Sequence, residues 1–172
     1  MMMERQLDAK ITTEPQIDVF AAAAVRALHA VYWACADGRD PTPPATLFED
    51  DAVFSLGSLR LRGRDELTAF FAKRQADIDT SSRVTRHLAS DVTLRPLGEG
   101  RMATENTVLA FSGYGALPIA SSLPSVADFV DVCRRQRDGR WLFERRTATS
   151  IFTGPEAPAF AHAAPASDQG DA

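Results

Sequence analysis

The stretch VADFVDVCRRQRDGRWLFERRTATSIF, residues 126–152, decides the fold class of this chain. Its two halves are rich in the β-branched and aromatic residues that strands favour. The dipeptide Asp138-Gly139 between them is a strong signal for a β-hairpin. Upstream, residues 83–97 and 101–114 have a similar character and flank the turn Gly98–Gly100. The second half of the chain is therefore predicted to form long antiparallel strands.

The first half of the chain is predicted to be mainly helical. Apolar residues recur at helical spacing between Ile17 and Cys35, and Gly38 is a natural end for that helix. A second helix is predicted to open at Gly63, with two short strands within residues 52–61 before it. Helices followed by antiparallel strands predict an α+β fold in which the helices pack on one face of a curved sheet.

The chain of 172 residues is long enough for one domain with a core and a ligand cavity. We expect this domain to span residues 13–152, after a flexible N-terminus at residues 1–12. Residues 153–172 consist mostly of Ala, Pro, Gly and polar residues, which predicts a disordered tail.

Charge and hydropathy narrow the choice of partners and location. The formal net charge of −4 argues against nucleic acids and anionic membranes as partners. The start MMMERQLDAK lacks the apolar segment of a signal peptide. Arg26 and His29 interrupt the apolar run 20–36, which argues against a membrane span. These features predict a cytoplasmic protein with no membrane partner.

Three residues carry the chemistry that the sequence offers. Tyr32 and Asp37 lie toward the end of the first predicted helix, and His87 lies in the strand-like run RVTRHLASDVTL. A phenol, a carboxylate and an imidazole can together move a proton without a metal or a cofactor. The sequence shows no metal-ligand spacing, nucleotide-binding loop or nucleophile elbow, so we expect neither a cofactor nor a metal.

Each of these residues also has a purely structural interpretation. His87 shares a strand face with Thr85, and that face is either a polar pocket wall or a solvent face. Asp37 directly precedes Gly38 and fits an ordinary helix end, while Tyr32 fits a core position. Five residues on an ideal helix place two side chains about 140° apart. Tyr32 and Asp37 therefore share a pocket only if the helix end unwinds or the pocket wraps around it.

A series of local strings occurs in a recognisable order. These are Y-x-x-x-x-D-x-x-D from Tyr32 to Asp40, then LFEDDAVF, LRGRDEL, TRHLASD and RDGRWLFERR. Together they resemble the SnoaL-like branch of the nuclear transport factor 2-like superfamily over residues 15–152. The resemblance implies a cone-shaped barrel, in which a strongly bent antiparallel sheet packs against N-terminal helices around an apolar pocket. It also implies a homodimer formed through the sheet.

The resemblance implies roles for individual residues. Scytalone dehydratase, bile-acid dehydratase and hexachlorocyclohexane dehydrochlorinase share an Asp–His pair in the pocket, which corresponds here to Asp37 and His87. Tyr32 is the expected proton donor. An Arg on the final strand faces the cavity in several of these enzymes, which implies Arg145 or Arg146.

Further residues are expected to bind the substrate. Scytalone dehydratase has a second pocket histidine on a following strand, but residues 101–114 contain no histidine. Asn106 is one of the nearest polar candidates there, and Trp33 and Phe54 are expected to contact the substrate through their rings.

We expect a cofactor-independent lyase or isomerase of the dehydratase type. Its substrate would be a small, apolar, ring-containing compound with a carbonyl group. Three alternatives remain open at the level of the sequence. They are a non-catalytic protein that binds a small molecule, a subunit that supports an oxygenase, and a polyketide cyclase.

Overall fold

The computed structural model describes residues 17–120 and 122–162. The described residues form two α-helices, two short 3-10 helices and seven β-strands. In chain order they are α1 (Val19–Ala36), η1 (Pro44–Leu47), β1 (Phe48–Leu56), β2 (Leu59–Arg62), α2 (Gly63–Ser81), β3 (Arg83–Ala89), β4 (Thr93–Gly98), β5 (Arg101–Tyr114), β6 (Ser125–Arg135), β7 (Trp141–Phe152) and η2 (Ala159–His162). The α+β class predicted from the sequence is confirmed.

The seven strands form one strongly curved sheet in the order β2-β1-β7-β6-β5-β3, with β4 also paired to β5. The predicted barrel is open, because β2 lies at one edge of the sheet and β3 and β4 lie at the other. The predicted antiparallel pairing holds for every pair of strands except β1 and β7, which pair in parallel. A parallel pair needs a crossover connection, and the whole of residues 57–140 provides it here.

The strand predicted before β5 is broken where β3 gives way to β4. We predicted one strand over residues 83–97, but the chain leaves the ladder between Ala89 and Thr93. At this break the Ser90 N–H donates to the Thr107 carbonyl (2.9 Å), and the Thr107 N–H donates to Ser90 Oγ (3.1 Å). The long strand β5 therefore pairs with β4 through its first half and with β3 through its second half.

The hairpin predicted at Asp138-Gly139 is present, with a longer connection than two residues. The paired strands end at Arg135 and begin again at Trp141, and the Gln136 N–H donates to the Arg140 carbonyl (2.7 Å). Gly139 has φ = +88°, a value that glycine adopts without steric cost. The dipeptide thus fixes the turn, while the bonds around it set the length of the loop.

Helix α1 packs one face into the core beneath the sheet. Val25, Leu28, Tyr32 and Trp33 on this face are buried. With a mean hydropathy of 1.5, α1 is long and apolar enough to cross a membrane, a property that the core helix of a globular domain can share. In this domain 44% of the helix is buried.

The segment that follows β7 packs against the domain. The Ser58 N–H donates to the Phe160 carbonyl (3.1 Å), and Ala161 in η2 is buried. The prediction of a disordered tail is therefore wrong for residues 153–162, because these apolar contacts and backbone bonds order them. Residues 163–172 and the predicted flexible N-terminus at 1–12 lie outside the described residues.

The outer face of the sheet carries exposed apolar side chains, among them Leu88, Val130 and Ile151. This is the face through which the resemblance implies a homodimer. The homodimer stays a prediction.

Candidate active site

Asp37 stands just beyond the end of α1, where the chain turns away from the helix. It is the C-cap residue, with φ = −93° and ψ = 4°, and Gly38 follows at φ = +65°. Glycine at this position allows the left-handed turn that ends many helices. Because the helix ends before Asp37, the carboxylate is directed inward and its side chain is fully buried.

The Asp37 carboxylate and the His87 ring are in direct contact. His87 Nδ1 lies 2.6 Å from Asp37 Oδ1, and the His87 backbone N–H donates to Oδ2 over 3.0 Å. Thr85, two residues earlier on β3, donates its hydroxyl to Oδ1 over 3.2 Å. The two residues that the sequence analysis proposed as an acid–base pair thus meet, although 50 positions separate them.

Trp33 holds the His87 ring from a different direction. The two rings are stacked, with centroids 4.6 Å apart and planes inclined by 23°. Trp33 precedes Asp37 by four residues, which places both on one side of the helix end. The imidazole is therefore fixed at its edge by Asp37 and on its face by Trp33.

The pKa shifts define the protonation states of the pair. Burial opposes the charge on Asp37, but hydrogen bonds from His87 and Thr85 outweigh it and hold the pKa of the carboxyl below its usual value. Burial lowers the pKa of His87, and the bond to Asp37 offsets only part of that effect. At neutral pH Asp37 is ionised and His87 is neutral. The Nδ1–H then donates to Asp37, which leaves the lone pair on Nε2 available as a base.

The pair adjoins a cavity of about 430 Å³ between the helices and the concave side of the sheet. His87 forms part of the cavity wall, and its side chain keeps 14% of its surface exposed. Most of the wall is apolar, with a high share of aromatic rings. The aromatic residues of the wall are Tyr32, Trp33, Phe54, Phe70, Phe71, Phe111, Phe129 and Phe160.

Tyr32 brings a phenol to the same cavity. Its ring packs edge-on against Phe48, Phe71 and Phe143, and the residue is 4% exposed. Burial raises the pKa of Tyr32 above its usual value, so the hydroxyl keeps its proton at neutral pH. A phenol in this state can donate a hydrogen bond or a proton to a bound ligand.

The final-strand arginines do not line the cavity, contrary to the expectation. Arg145 is exposed on the outer face of β7. Arg146 is fully buried behind the aromatic wall, with its guanidinium carbon 4.1 Å from the Tyr32 ring centroid and 4.8 Å from that of Trp33. Its nearest carboxylate is Asp131, at 3.6 Å. Arg146 therefore supports the wall from behind and is out of reach of a ligand in the cavity.

Of the three expected substrate-binding residues, two line the cavity and one does not. Trp33 and Phe54 line the cavity. Asn106 is buried outside the cavity wall, and its amide has no hydrogen-bond partner among the described residues. The alternation along β5 turns Asn106 inward, but the rings of Trp33 and Phe129 occupy the wall on that side.

The sequence analysis missed two residues that position the pair. Arg74 on α2 donates to the Ala36 carbonyl (2.8 Å) and to Thr85 Oγ1 (3.2 Å). Thr85 in turn donates to Asp37. The shared face of Thr85 and His87 was visible in the alternation of β3, but nothing in the sequence placed Arg74 beside them.

Comparison with solved structures shows the same fold in several proteins. A candidate scytalone dehydratase from Novosphingobium aromaticivorans has a TM-score of 0.70 and 21% identity, over 89% of this chain and 97% of that chain. ActVI-ORFA from Streptomyces coelicolor has a TM-score of 0.68 and 20% identity, over 79% and 98%. Hexachlorocyclohexane dehydrochlorinase (LinA) type 2 has a TM-score of 0.65 and 18% identity, over 82% and 95%. At these identities the likeness is one of fold.

Comparison at the level of sequence gives the family. None of the curated proteins compared with the chain matches it. The SnoaL-like domain matches residues 19–147, a range that runs from the start of α1 into β7 and includes both Asp37 and His87. The chain therefore belongs to the SnoaL-like domain family, within the nuclear transport factor 2-like superfamily.

Proposed function

We propose that this protein is a cofactor-independent lyase or isomerase that removes a proton from carbon beside a carbonyl group. The observation that carries the proposal is the 2.6 Å contact between Asp37 and His87 at the wall of an aromatic cavity. A carboxylate bonded to one imidazole nitrogen fixes the tautomer and stabilises the imidazolium that forms when the other nitrogen takes a proton.

The step begins when His87 Nε2 takes a proton from the carbon next to the carbonyl. The electron pair of the broken C–H bond forms a carbon–carbon double bond with enolate character. Tyr32 donates a hydrogen bond to the oxygen on which negative charge develops. In a β-hydroxy carbonyl compound, the hydroxyl then leaves with the proton that His87 carries, so the products are an unsaturated carbonyl compound and water. In an isomerisation, the same proton returns to a different carbon.

The surroundings of the pair favour this chemistry. The Asp37 side chain is fully buried, so the negative charge behind the imidazole is poorly screened by water. Trp33 restricts the rotation of the His87 ring. A positioned general base typically contributes about 10²–10⁴-fold in rate. The dry cavity and the Tyr32 hydroxyl would have to provide the remainder.

A bicyclic β-hydroxy ketone tests the proposal directly. Dehydration of 3-hydroxy-1-tetralone gives 1-naphthol, which is followed by its absorbance. We expect turnover by the native chain and a loss of roughly 10²-fold or more in kcat/KM for His87→Gln and for Asp37→Asn. The matched control is His162→Gln, because His162 lies in η2 and outside the cavity wall.

Exchange in heavy water separates proton abstraction from elimination. If His87 is the base, the α-hydrogens of 1-tetralone exchange with solvent in the presence of the native protein, and His87→Gln abolishes the exchange. A protein that binds 1-tetralone without catalysing exchange or dehydration would be a ligand carrier, and the proposed function would then be wrong. Full activity of His87→Gln would exclude the assigned base.

A further inference from the structure

Three cationic side chains line the cavity wall. Lys73 and Arg74 belong to α2, and Arg83 begins β3. Arg83 donates to Ser112 Oγ (2.9 Å) and to the Glu156 carbonyl (3.2 Å), both neutral acceptors. Within the described part of the chain, Lys73 has no hydrogen-bond or ion-pair partner. Among the residues that the structure describes, no carboxylate lies at ion-pair distance from any of the three.

The balance of charge around this group favours an anion. Arg74 is part-buried and also donates only to neutral oxygens. Burial lowers the pKa of Arg74 and the charge of Arg83 acts in the same direction, while Tyr32 and the Asp37 carboxylate oppose the shift. Asp77 and Glu156 also line this part of the cavity, but neither forms an ion pair with the three cations. Lys73 is exposed and Arg83 is half-buried, and the carboxylate of a ligand can pair with cations that no protein carboxylate holds.

The spacing along β3 sets the distance between this group and the base. Arg83, Thr85 and His87 are alternate residues of one strand, and all three line the cavity. A strand rises about 3.3 Å per residue, so the backbones of Arg83 and His87 are about 13 Å apart. A ligand that reaches from one to the other has the length of two or three fused rings with a substituent.

We propose that the substrate is a ring-containing acid, whose carboxylate is bound by Arg83 and Lys73 while its apolar rings lie against Trp33. The inference rests on the proposed function, because that function identifies the end of the ligand that reacts at His87. It adds the acidic group, which the Asp37–His87 pair alone does not imply. Arg74 contributes positive charge, but its bonds to Ala36 and Thr85 give it a positioning role in the pair.

A matched pair of ligands tests the acidic group without any turnover. Anthracene-2-carboxylate and anthracene-2-carboxamide have nearly the same shape and differ in charge. We expect the carboxylate to bind at least about tenfold more tightly, as measured by fluorescence titration at low salt. The preference should shrink as salt is added, because part of the cationic group is exposed.

Substitutions locate the source of this preference. The double variant Arg83→Gln with Lys73→Met should bind the two ligands equally, while Arg83→Lys keeps the preference. The control is Arg86→Gln, since Arg86 is an exposed arginine on the same strand but outside the cavity wall. Equal binding of acid and amide by the native chain would overturn the inference, as would a preference that persists in the double variant.

The variant His87→Gln separates this inference from the proposed function. If His87→Gln keeps the preference for the acid, the cationic group acts on the carboxylate independently of the base. A preference for the acid without any dehydration activity would overturn the proposed function alone. Dehydration of 3-hydroxy-1-tetralone without any preference for the acid would overturn only the acidic substrate.

Discussion

His87 is restrained at three points, and each restraint has a chemical consequence. Asp37 accepts from its ring Nδ1–H and from its backbone N–H, and Trp33 covers one face of the ring. The ring therefore has one free nitrogen and little freedom to rotate. A base held in this way needs no reorganisation when a substrate enters the cavity.

The pH profile of the proposed reaction follows from the state of His87. The base works only when neutral, and its pKa is lowered from 6.5 because burial outweighs the bond to Asp37. We expect kcat/KM to rise with pH through a midpoint below 6.5 and to be level at pH 7. In Asp37→Asn the plateau falls and the midpoint moves further down, because the charge that raises the pKa is gone. A midpoint at or above 6.5, measured on 3-hydroxy-1-tetralone, would contradict this assignment.

The sequence predicted the pairing of Asp37 with His87 better than it predicted the residues that surround the pair. Asp37 and His87 were identifiable because residue type, a helix end and strand alternation all applied to them. The position of Arg146 was not identifiable. Alternation shows that Arg145 and Arg146 face opposite sides of the sheet, but it does not show how far behind the cavity wall a side chain lies. The rings of Tyr32 and Trp33 come between the Arg146 guanidinium and the cavity. Only the packing of α1 on the sheet shows this.

At the scale of elements, the segment after β7 closes one side of the cavity. Gly154, Glu156, Pro158 and Phe160 all line it, and the Phe160 ring packs on Phe70 at 6.1 Å between centroids. The Gly154 N–H donates to Ser125 Oγ (2.9 Å), and a side chain at this position would collide with the backbone of Leu123. The segment thus packs closely against the residues at the start of β6 and just before it.

Two truncations test whether this segment belongs to the binding site. A chain that ends at Phe152 loses the part of the wall that includes Phe160, while a chain that ends at His162 keeps it. Full burial of a phenylalanine side chain is worth roughly 1.5–3 kcal/mol, and Phe160 is half-buried before a ligand enters. We therefore expect the shorter chain to bind anthracene-2-carboxylate at least about tenfold more weakly. Equal affinities for the two truncated chains, both folded by circular dichroism, would show that the segment is dispensable.

The elements differ in how far their sequences determine them. The turn at Asp138-Gly139 and the start of α2 at Gly63 carry local signals, and the structure has both. The break between β3 and β4 depends on bonds from Ser90 to Thr107, which is 17 residues away. Residues 153–162 have the composition of a loop and are ordered by contacts with distant residues such as Ser58 and Arg83. Local patterns cannot reveal contacts of this kind.

At the scale of the whole molecule, stability depends on ionisable groups buried behind the cavity. His29 Nε2 lies 3.1 Å from Thr104 Oγ1 and 3.8 Å from Asp131. Burial, together with the charge of Arg146, lowers the pKa of His29 to about 2. Burial raises the pKa of Asp131 to about 6, although Arg146 opposes this shift. Compared with the unfolded chain, the folded chain therefore favours the neutral form of both residues.

The two shifts act on stability in opposite directions as the pH changes. His29 takes up a proton below pH 6.5 in the unfolded chain but not in the folded one, so its contribution is lost as the pH falls from 6.5 toward 2. Asp131 behaves in the reverse way, because its contribution is present below 3.8 and is lost as the pH rises through about 6. Between pH 4 and 6 the two effects partly cancel in the native chain.

A substitution at His29 separates its pH-dependent contribution to stability from that of Asp131. His29→Gln keeps a group that can bond to Thr104 but cannot titrate, while Asp131 and Asp37 remain in both proteins. Each pH unit below 6.5 should cost the native chain roughly 1.4 kcal/mol relative to the variant. When the pH is lowered from 7 to 4.5, the unfolding free energy of the variant should therefore rise by roughly 2–3 kcal/mol relative to that of the native chain. Urea denaturation at these two pH values measures it. Parallel stability profiles would mean that folding leaves the pKa of His29 unchanged, and a shift in favour of the native chain would mean that His29 is protonated beside an ionised Asp131.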